Sequence, residues 1–441
     1  MVTLCMIVKN EEKDLPQCLH SARDKVDEMV VVDTGSSDHT VEIARAFKAR
    51  IFHFKWCDDF AKARNHSLKY AKGKWIVYLD GDEFLEPLDK DIFREAARNK
   101  TKLAYALTIK NLLDNGKDAS HLQVRMFRNR ADMRFKNRVY NQLCIPGGLQ
   151  GPHVGRLDAV IIHKGYQKGY IQKREKAQRV RRLFPKQLAR HGGDLYSWYK
   201  YAVLLNEHDE GPLKKKANEK AYRILEGLSE KRVKELPYSG EVVGNYAADL
   251  LSEGEVEKAH QICRSQQQRI RETPNFCYTL GQIATRLGRF REALSQFEKC
   301  LSFKEPAAYV PPRPGVASYL SLQNMAVIYF NLDEHEKAAR LLQEAIEADP
   351  DRLIPYLTLA ELHVVKKERD RALAVVEAFP WERVNNGACW LEGAEFFLRH
   401  GFIAEARSFL SKAAGYDKTT QRARRHMEEL DHRQASGEGH G

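Results

Sequence analysis

The chain of 441 residues lacks the features that define several large protein classes. No apolar run approaches the roughly 20 residues that cross a bilayer as a helix, so no membrane span is expected. Its eight cysteines stand singly, without a Cys-x-x-Cys pair. That excludes zinc ribbons, thioredoxin chemistry and a disulfide framework, and points to a reducing, cytoplasmic setting. The apolar start Met1–Val8 has neither a basic lead nor a small-residue cleavage site, and it reads as a first strand. No Gly-x-Gly-x-x-Gly or Walker-type loop follows it, so dinucleotide and P-loop readings fall away. The net charge is +12, but no nucleic-acid signature accompanies it. The excess is read as solvated helix surface with some attraction for phosphates, and no nucleic-acid partner is expected. A chain of this length exceeds one core and implies two or three domains.

What is present falls into two halves. In the first, strand and helix patterns alternate: a strand at Val2–Val8, a helix carrying Leu15, Leu19 and Ala22, a strand at Glu28–Val32, a helix through Val41, Ala44 and Phe47, a strand at Ile51–Phe54, a helix over Asp59–Ala71 and a strand at Trp75–Leu79. Units of this size predict a mainly parallel sheet with helices on both faces. The fourth strand ends in Asp80, Asp82 and Glu83. Crowded carboxylates repel unless a cation holds them, and hard oxygen ligands suit Mg²⁺ or Mn²⁺. A plain Asp-Gly turn is the competing reading, and the stretch alone does not choose between them. Position adds what the stretch lacks. Asn10 and Glu11 follow the first strand, Asp33 the second, and Asp80 and Asp82 the fourth, so all are expected at the carboxyl-end rim where open α/β sheets bind ligands. Later strands are expected at Ala104–Lys110 and Gln123–Arg128, with a turn around Asp114–Lys117 between them.

Four segments in order resemble a family 2 glycosyltransferase of GT-A fold: Val2–Glu11, Val30-Val-Val-Asp-Thr-Gly-Ser-Ser-Asp38, Trp56-Cys-Asp-Asp-Phe-Ala-Lys-Ala-Arg-Asn65 and Leu79-Asp-Gly-Asp-Glu83. The likeness is strongest to the branch whose catalytic domain precedes tetratricopeptide repeats, which includes the sublancin-type peptide S-glycosyltransferases. The resemblance implies a UDP-sugar donor contacted by Val8, Glu11, Asp33, Arg64, Asp80 and Gly81. In it, Asp33 takes the uracil N–H, Arg64 lies beside the nucleotide and Asp80 meets the ribose. Asp82 binds the metal, completed by His163 of the late His-x-Gly-Tyr element His163–Tyr166; a carboxylate with an imidazole suits Mn²⁺ better than Mg²⁺. The competing reading for Arg64 is a salt bridge to Asp58 or Asp59, and for His163 a strand-end imidazole bonded to backbone. Asp59 is expected to be a helix N-cap. The chain departs from its relatives at Val139-Tyr-Asn-Gln142, where many carry a Val-His-Glu element. The general base is therefore unassigned, with Glu83 or Asp118 as candidates and Asn141 and Gln142 as groups that would orient an acceptor. A thiol acceptor would need no strong base.

The second half reads as helices only. A basic connecting helix over residues 169–192, with Pro185 ending or kinking it, follows the domain of residues 1–168. Ala259, Ala293, Ala338, Ala372 and Ala406 then recur in similar contexts. They lie 34 residues apart except between 293 and 338, where the gap is 34 plus 11 within the Pro-rich loop Lys304–Pro314. A 34-residue period is the tetratricopeptide signature, and small Ala lets two helices approach closely. Repeats are expected over residues 193–416, counting a looser unit around Trp198–Leu228, with a charged tail over 417–441 expected to fray. Such an array offers a concave face for a peptide or protein acceptor, and homodimerisation through the same helices is the competing use. Trp198, Tyr199, Tyr246 and Tyr278 read as inter-helix packing. The expected architecture is thus an α/β GT-A domain followed by an all-α solenoid.

Overall fold

The computed structural model describes residues 1–112, 119–149, 151–164, 172–190, 192–206, 211–303 and 309–435. The expected turn at Asp114–Lys117, the candidate base Asp118, the Gly-Tyr of the late element and the first residues of the Pro-rich loop lie outside these.

The N-terminal elements follow the alternation closely. They are β1 (Val2–Val8), α1 (Leu15–Ala22), β2 (Glu28–Asp33), α2 (Thr40–Ala46), β3 (Arg50–His53), α3 (Phe60–Leu68) and β4 (Trp75–Tyr78). Next come β5 (Glu83–Leu85), α4 (Ile92–Arg98), β6 (Ala104–Asn111), β7 (Ala119–Arg128), β8 (Phe135–Lys136), β9 (Gln142–Leu143) and β10 (Val154–His163). The period of two sorts side chains between the sheet's faces. Leu4, Met6 and Val8 of β1 join Leu15, Leu19, Ala44 and Phe93 in one cluster, while Cys5 faces Ala61 and Leu68 of α3 in the other. All four residues of β4 are buried, as a central strand covered on both faces requires. Each such aliphatic side chain contributes roughly 1.5–3 kcal/mol on burial.

The sheet has eight strands in the order β3-β2-β1-β4-β7-β6-β10-β5, and it is mixed: mainly parallel as expected, with β5 and β7 running opposite to the rest. The neighbours β3/β2, β2/β1, β1/β4 and β6/β10 are parallel. The neighbours β4/β7, β7/β6 and β10/β5 are antiparallel. Two antiparallel steps cancel, so β6 and β10 run in the same direction as β1, β2 and β4. With β3 parallel to β2, the carboxyl ends of six strands therefore share one rim, and β5 and β7 begin there.

Helices follow: α5 (Gln172–Arg190), α6 (Leu195–Asn206), α7 (Gly211–Glu226), α8 (Glu230–Glu235), α9 (Ser239–Ser252), α10 (Val256–Gln266), α11 (Pro274–Arg286) and α12 (Phe290–Ser302). Beyond the insertion lie α13 (Tyr319–Asn331), α14 (His335–Ala348), α15 (Leu353–Val365), α16 (Arg369–Glu377), α17 (Gly387–Arg399), α18 (Ile403–Ala414) and α19 (Thr420–Ala435). Pro185 does not end its helix, since α5 continues to Arg190. The five recurrent alanines are fully buried, one each on α10, α12, α14, α16 and α18. Tyr199 and Tyr246 are buried in tyrosine stacks with Tyr238 and Tyr222, which is packing.

A second 34-residue period emerges in the backbone. Gly254, Gly288, Asp333, Lys367 and Gly401 all have φ between 59° and 82°, and each lies just after the first helix of a pair. The same closing bond recurs after each, from Glu255 N to Leu250 O through Phe402 N to Phe397 O, ending the helix through a left-handed residue. Asp333 and Lys367 adopt this conformation without being glycine, so the period is invisible in the letters. The charged tail does not fray over 420–435. Ala423 and Leu430 are buried and Met427 packs beside them, a stripe one helical turn apart that seats α19 against Trp390 and Leu410.

The chain divides into two compact units, Met1–Ile283 with Ser302–Pro314, and Ala284–Leu301 with Gly315–Gly441. The insertion thus belongs with the first unit. Tyr309 packs on the sheet domain's second cluster, and its hydroxyl donates to Leu149 O at 3.2 Å.

Candidate functional site

The rim is organised by loops that bond to one another. Val8 O accepts the N–H of Thr34 at 2.9 Å, joining the ends of β1 and β2. Ser37 N donates to Asn10 Oδ1 at 2.8 Å, and Glu11 N donates to Thr40 Oγ1 at 2.7 Å. Asp33 ends β2 with its carboxylate turned back onto its own loop, accepting from Gly35 N and Ser36 N at 3.1 Å. His53 Nδ1 stands 3.5 Å from the same group. Glu11 crosses to the next loop: a Cβ at Gly81 would lie 2.7 Å from Glu11 Cγ, so the small residue makes room for it.

Of the two readings of the stretch after β4, the structure shows the turn. Asp80–Glu83 is a turn, with Glu83 N donating to Asp80 O at 3.1 Å. It is also where the rim's charges gather. Arg64 of α3 reaches Asp80 Oδ1 at 2.5 Å, so it pairs with neither Asp58 nor Asp59. Asp58 instead takes Arg182 of α5 at 2.8 Å, and Asp59 caps α3 by accepting from Lys62 N at 3.0 Å. Although burial alone would raise the Asp80 carboxyl, the Arg64 and Arg125 guanidiniums hold it well below the usual carboxylate range. Burial, with Glu83 and Asp80 beside it, pushes the Cys18 thiol under this turn far up, so it is no nucleophile.

Asp82 and His163 meet across the rim. His163 Nε2 lies 3.3 Å from Asp82 Oδ2, and Lys164 N donates to Asp82 O at 3.3 Å. The other imidazole nitrogen, Nδ1, bonds to Asn111 Oδ1 at 2.8 Å. His163 therefore has a side-chain partner at the strand end. An outer partner on Nδ1 with Nε2 aimed at a carboxylate is the arrangement that orients a metal-ligating histidine. No group of three His, Cys, Asp or Glu side chains suited to a metal occurs among the described residues. The donor set here is one nitrogen and one oxygen, which fits a cation whose remaining positions belong to a ligand's oxygens and water.

The base candidates fare differently. Glu83 is 2 % exposed and both its oxygens are engaged, Oε1 by Arg125 Nη2 at 2.5 Å and Oε2 by Asp80 N at 2.9 Å. A carboxylate so enclosed is ill placed to take a proton from an acceptor. Gln142 pairs with Lys136 in the small β8/β9 hairpin and lines a cavity of about 640 Å³ with Cys144, Asp194, Arg232 and Tyr238. Asn141 is half-buried beside it. The departing segment is tied to the connecting helix: Val139 packs on Leu183, Phe184 and Leu204, its N–H donates to Gln187 Oε1 at 3.0 Å, and the ring of Tyr140 stacks on Phe184.

Three residues of the site had no motif to announce them. Asn111 ends β6, and Arg125 and His121 sit on β7, two strands that enter the rim only through the antiparallel steps. Asn111 Nδ2 lies 3.4 Å from His121 Nδ1. Burial, with Arg125 nearby, lowers the His121 pKa to about 4. The sequence signal for Arg125 was a cation flanked by Val124 and Met126 inside a strand, which demands a buried anion.

Residues 3–152 match the family Glycosyl transferase family 2, and residues 274–306 and 319–352 match the tetratricopeptide repeat. A TPR repeat-containing protein of Synechococcus elongatus is 39% identical over 221 residues, 48% of this chain and 54% of its own length. The SPbeta prophage-derived glycosyltransferase SunS of Bacillus subtilis is 30% identical over 174 residues, 38% of this chain and 40% of its own. The chain thus spans about half the length of the curated relatives it matches. A tetratricopeptide repeat protein from Parabacteroides merdae overlays at TM-score 0.41 and 14% identity, covering 57% of this chain and 91% of that one. Enzymes of the matched family take sugar-nucleotide donors and often use a divalent cation. No helix among the described residues is long and apolar enough to cross a membrane. This chain carries a family 2 glycosyltransferase domain joined to C-terminal tetratricopeptide repeats.

Proposed function

We propose that the protein is an inverting, metal-dependent glycosyltransferase that moves a hexose from a UDP-sugar to a peptide or protein acceptor held by the repeats. The observation that carries this reading is the meeting of Asp33, the Arg64–Asp80 pair and the Asp82–His163 pair at the carboxyl-end rim of one sheet. In this reading Asp33 accepts the uracil N–H and Arg64 lies beside the nucleotide. Glu11 and Asp80 hold the ribose, with the backbone at Val8 and Gly81 close by. Asp82 and His163 would hold Mn²⁺ or Mg²⁺, which supplies Lewis-acid stabilisation of the departing diphosphate. Displacement by the acceptor from the opposite side inverts the anomeric carbon. The absence of a carboxylate at Val139–Gln142 favours an acceptor that needs little help, and a cysteine thiol, with a pKa near 8.5, is one. The residues read as repeats, 193–416, would present the acceptor, and the same helices would serve a homodimer. The reading places the work in the cytoplasm.

A second reading, a repeat scaffold whose sugar-nucleotide domain binds without turnover, is favoured by one observation. The segment Val139–Gln142, where the resemblance leads one to expect a carboxylate, is here packed through Val139 against α5. The two separate in one experiment: UDP release from UDP-sugars with Mn²⁺ and cysteine-containing peptides, read alongside the mass of the acceptor. A hexose increment on a peptide supports transfer. UDP binding with no release under any acceptor supports the scaffold.

A further inference from the structure

Arg125 is 3 % exposed in the middle of β7, and its Nη2 meets Glu83 Oε1 at 2.5 Å. Among the described residues its Nε and Nη1 are buried without a hydrogen-bond partner, and so is Nε of Arg64. A buried ion pair this incompletely bonded contributes little to stability, because desolvation offsets most of its attraction. Its placement suggests another task. Glu83, which Arg125 holds, accepts the N–H of Asp80 at 2.9 Å with its second oxygen and returns its own N–H to Asp80 O. The guanidinium of Arg125 lies 4.6 Å over the Tyr78 ring, and that of Arg64 lies 5.0 Å over the same ring while reaching Asp80. Glu11 closes the remaining side against Gly81. The Asp80–Glu83 turn is thus gripped from β7, α3 and the first loop.

We propose that Arg125 is a positioning residue: through Glu83 it fixes the Asp80–Glu83 turn so that Asp80 and Asp82 face the donor together. The proposal rests on the donor reading above for the ligand, and on geometry alone for the turn. It assigns Glu83 to support and removes it from the search for a base.

The test uses the full chain and two variants. Arg125→Met/Glu83→Met replaces the buried pair by two linear apolar side chains, and Arg125→Lys keeps a charge without the planar fork. Three quantities are read: the melting temperature, amide hydrogen exchange of residues 79–85, and UDP affinity by calorimetry with Mn²⁺. The double variant is expected to melt within a few degrees of the parent, yet to exchange faster at 79–85 and bind UDP about tenfold more weakly or worse, as loss of an outer partner does. Arg125→Lys is expected to fall between the two in both local readouts. Parental exchange at 79–85 in a folded variant overturns the proposal. If the double variant does not fold, Arg125→Lys decides by the same two readouts. A parent chain that binds no UDP removes the donor reading, and exchange at 79–85 still decides the role of Arg125.

Discussion

The sheet domain and the repeats solve burial in opposite ways. In the sheet, residues far apart in sequence converge: Asp33 from β2, Asp80 and Asp82 after β4, and His163 from β10 reach one rim because eight strands are ordered non-sequentially. In the repeats the buried alanine recurs 34 residues on, save across the insertion between Ala293 and Ala338, and each turn closes with the same bond. The first design concentrates chemistry where a single side chain has no substitute. The second spreads stability over similar small contacts, as stacked repeats do. One region is expected to fail in function without unfolding, and the other to lose stability without losing the donor site.

The largest expected effect tests the first half of that contrast. Asp82→Ala should lower sugar transfer by roughly 10²–10³-fold or more, the scale of losing one electrostatic stabiliser of a transition state, with the melting temperature kept. Treatment with a chelator should mimic it and added Mn²⁺ should reverse the chelator; full activity in either case would discard the Asp82–His163 assignment.

A pH titration of stability asks whether the rim also costs the fold something. His121 has a folded pKa of about 4, against about 6.5 in an unfolded chain. The unfolded state therefore takes the proton first as pH falls. The contribution of the neutral imidazole is fully present above pH 6.5 and is lost as pH falls through 4, on the order of 3 kcal/mol in all. Denaturant titrations at pH 7 and pH 4.5 should show a smaller difference in His121→Gln than in the parent. An unchanged difference would show that the burial of this ring is not what sets the acid sensitivity.

In the repeats, Ala338→Leu should overpack a fully buried site of α14 and cost about 1–3 kcal/mol, seen as a lower melting temperature. UDP affinity should not move; a parallel loss of UDP binding would break the contrast between the regions. The smallest effect expected is at the edge of the donor site. Gly81→Ala places a methyl against Glu11 Cγ, a flexible side chain that can shift. UDP binding should weaken by about tenfold, or about 1.4 kcal/mol, without a change in stability.

Much of this was readable in the letters because it is local. Apolar alternation at Leu4, Met6 and Val8, the Asp59 cap on α3 and the 34-residue alanine period each depend on residues within a turn or a repeat. The mixed order of the sheet was not readable, since pairing of β4 with β7 depends on which distant edge is available and not on either strand alone. The short strand β5 and helix α4 lacked an uninterrupted pattern long enough to stand out. The helix at 420–435 reads as a fraying tail in the letters because its charges outnumber the Ala423, Met427 and Leu430 stripe that α17 and α18 cover.

From sequence alone followed the alternation from β1 to β4, the repeat, and the residue types expected of a sugar-nucleotide site, because propensity, period and motif act over short distances. Tertiary structure alone decided that Arg64 pairs with Asp80, that Arg125 and Glu83 support the turn, that Asn111 backs His163, and that the insertion at Tyr309 returns to the sheet domain. Those partners are separated by 16 to 160 residues, and only the packed sheet and helices bring them within hydrogen-bond reach.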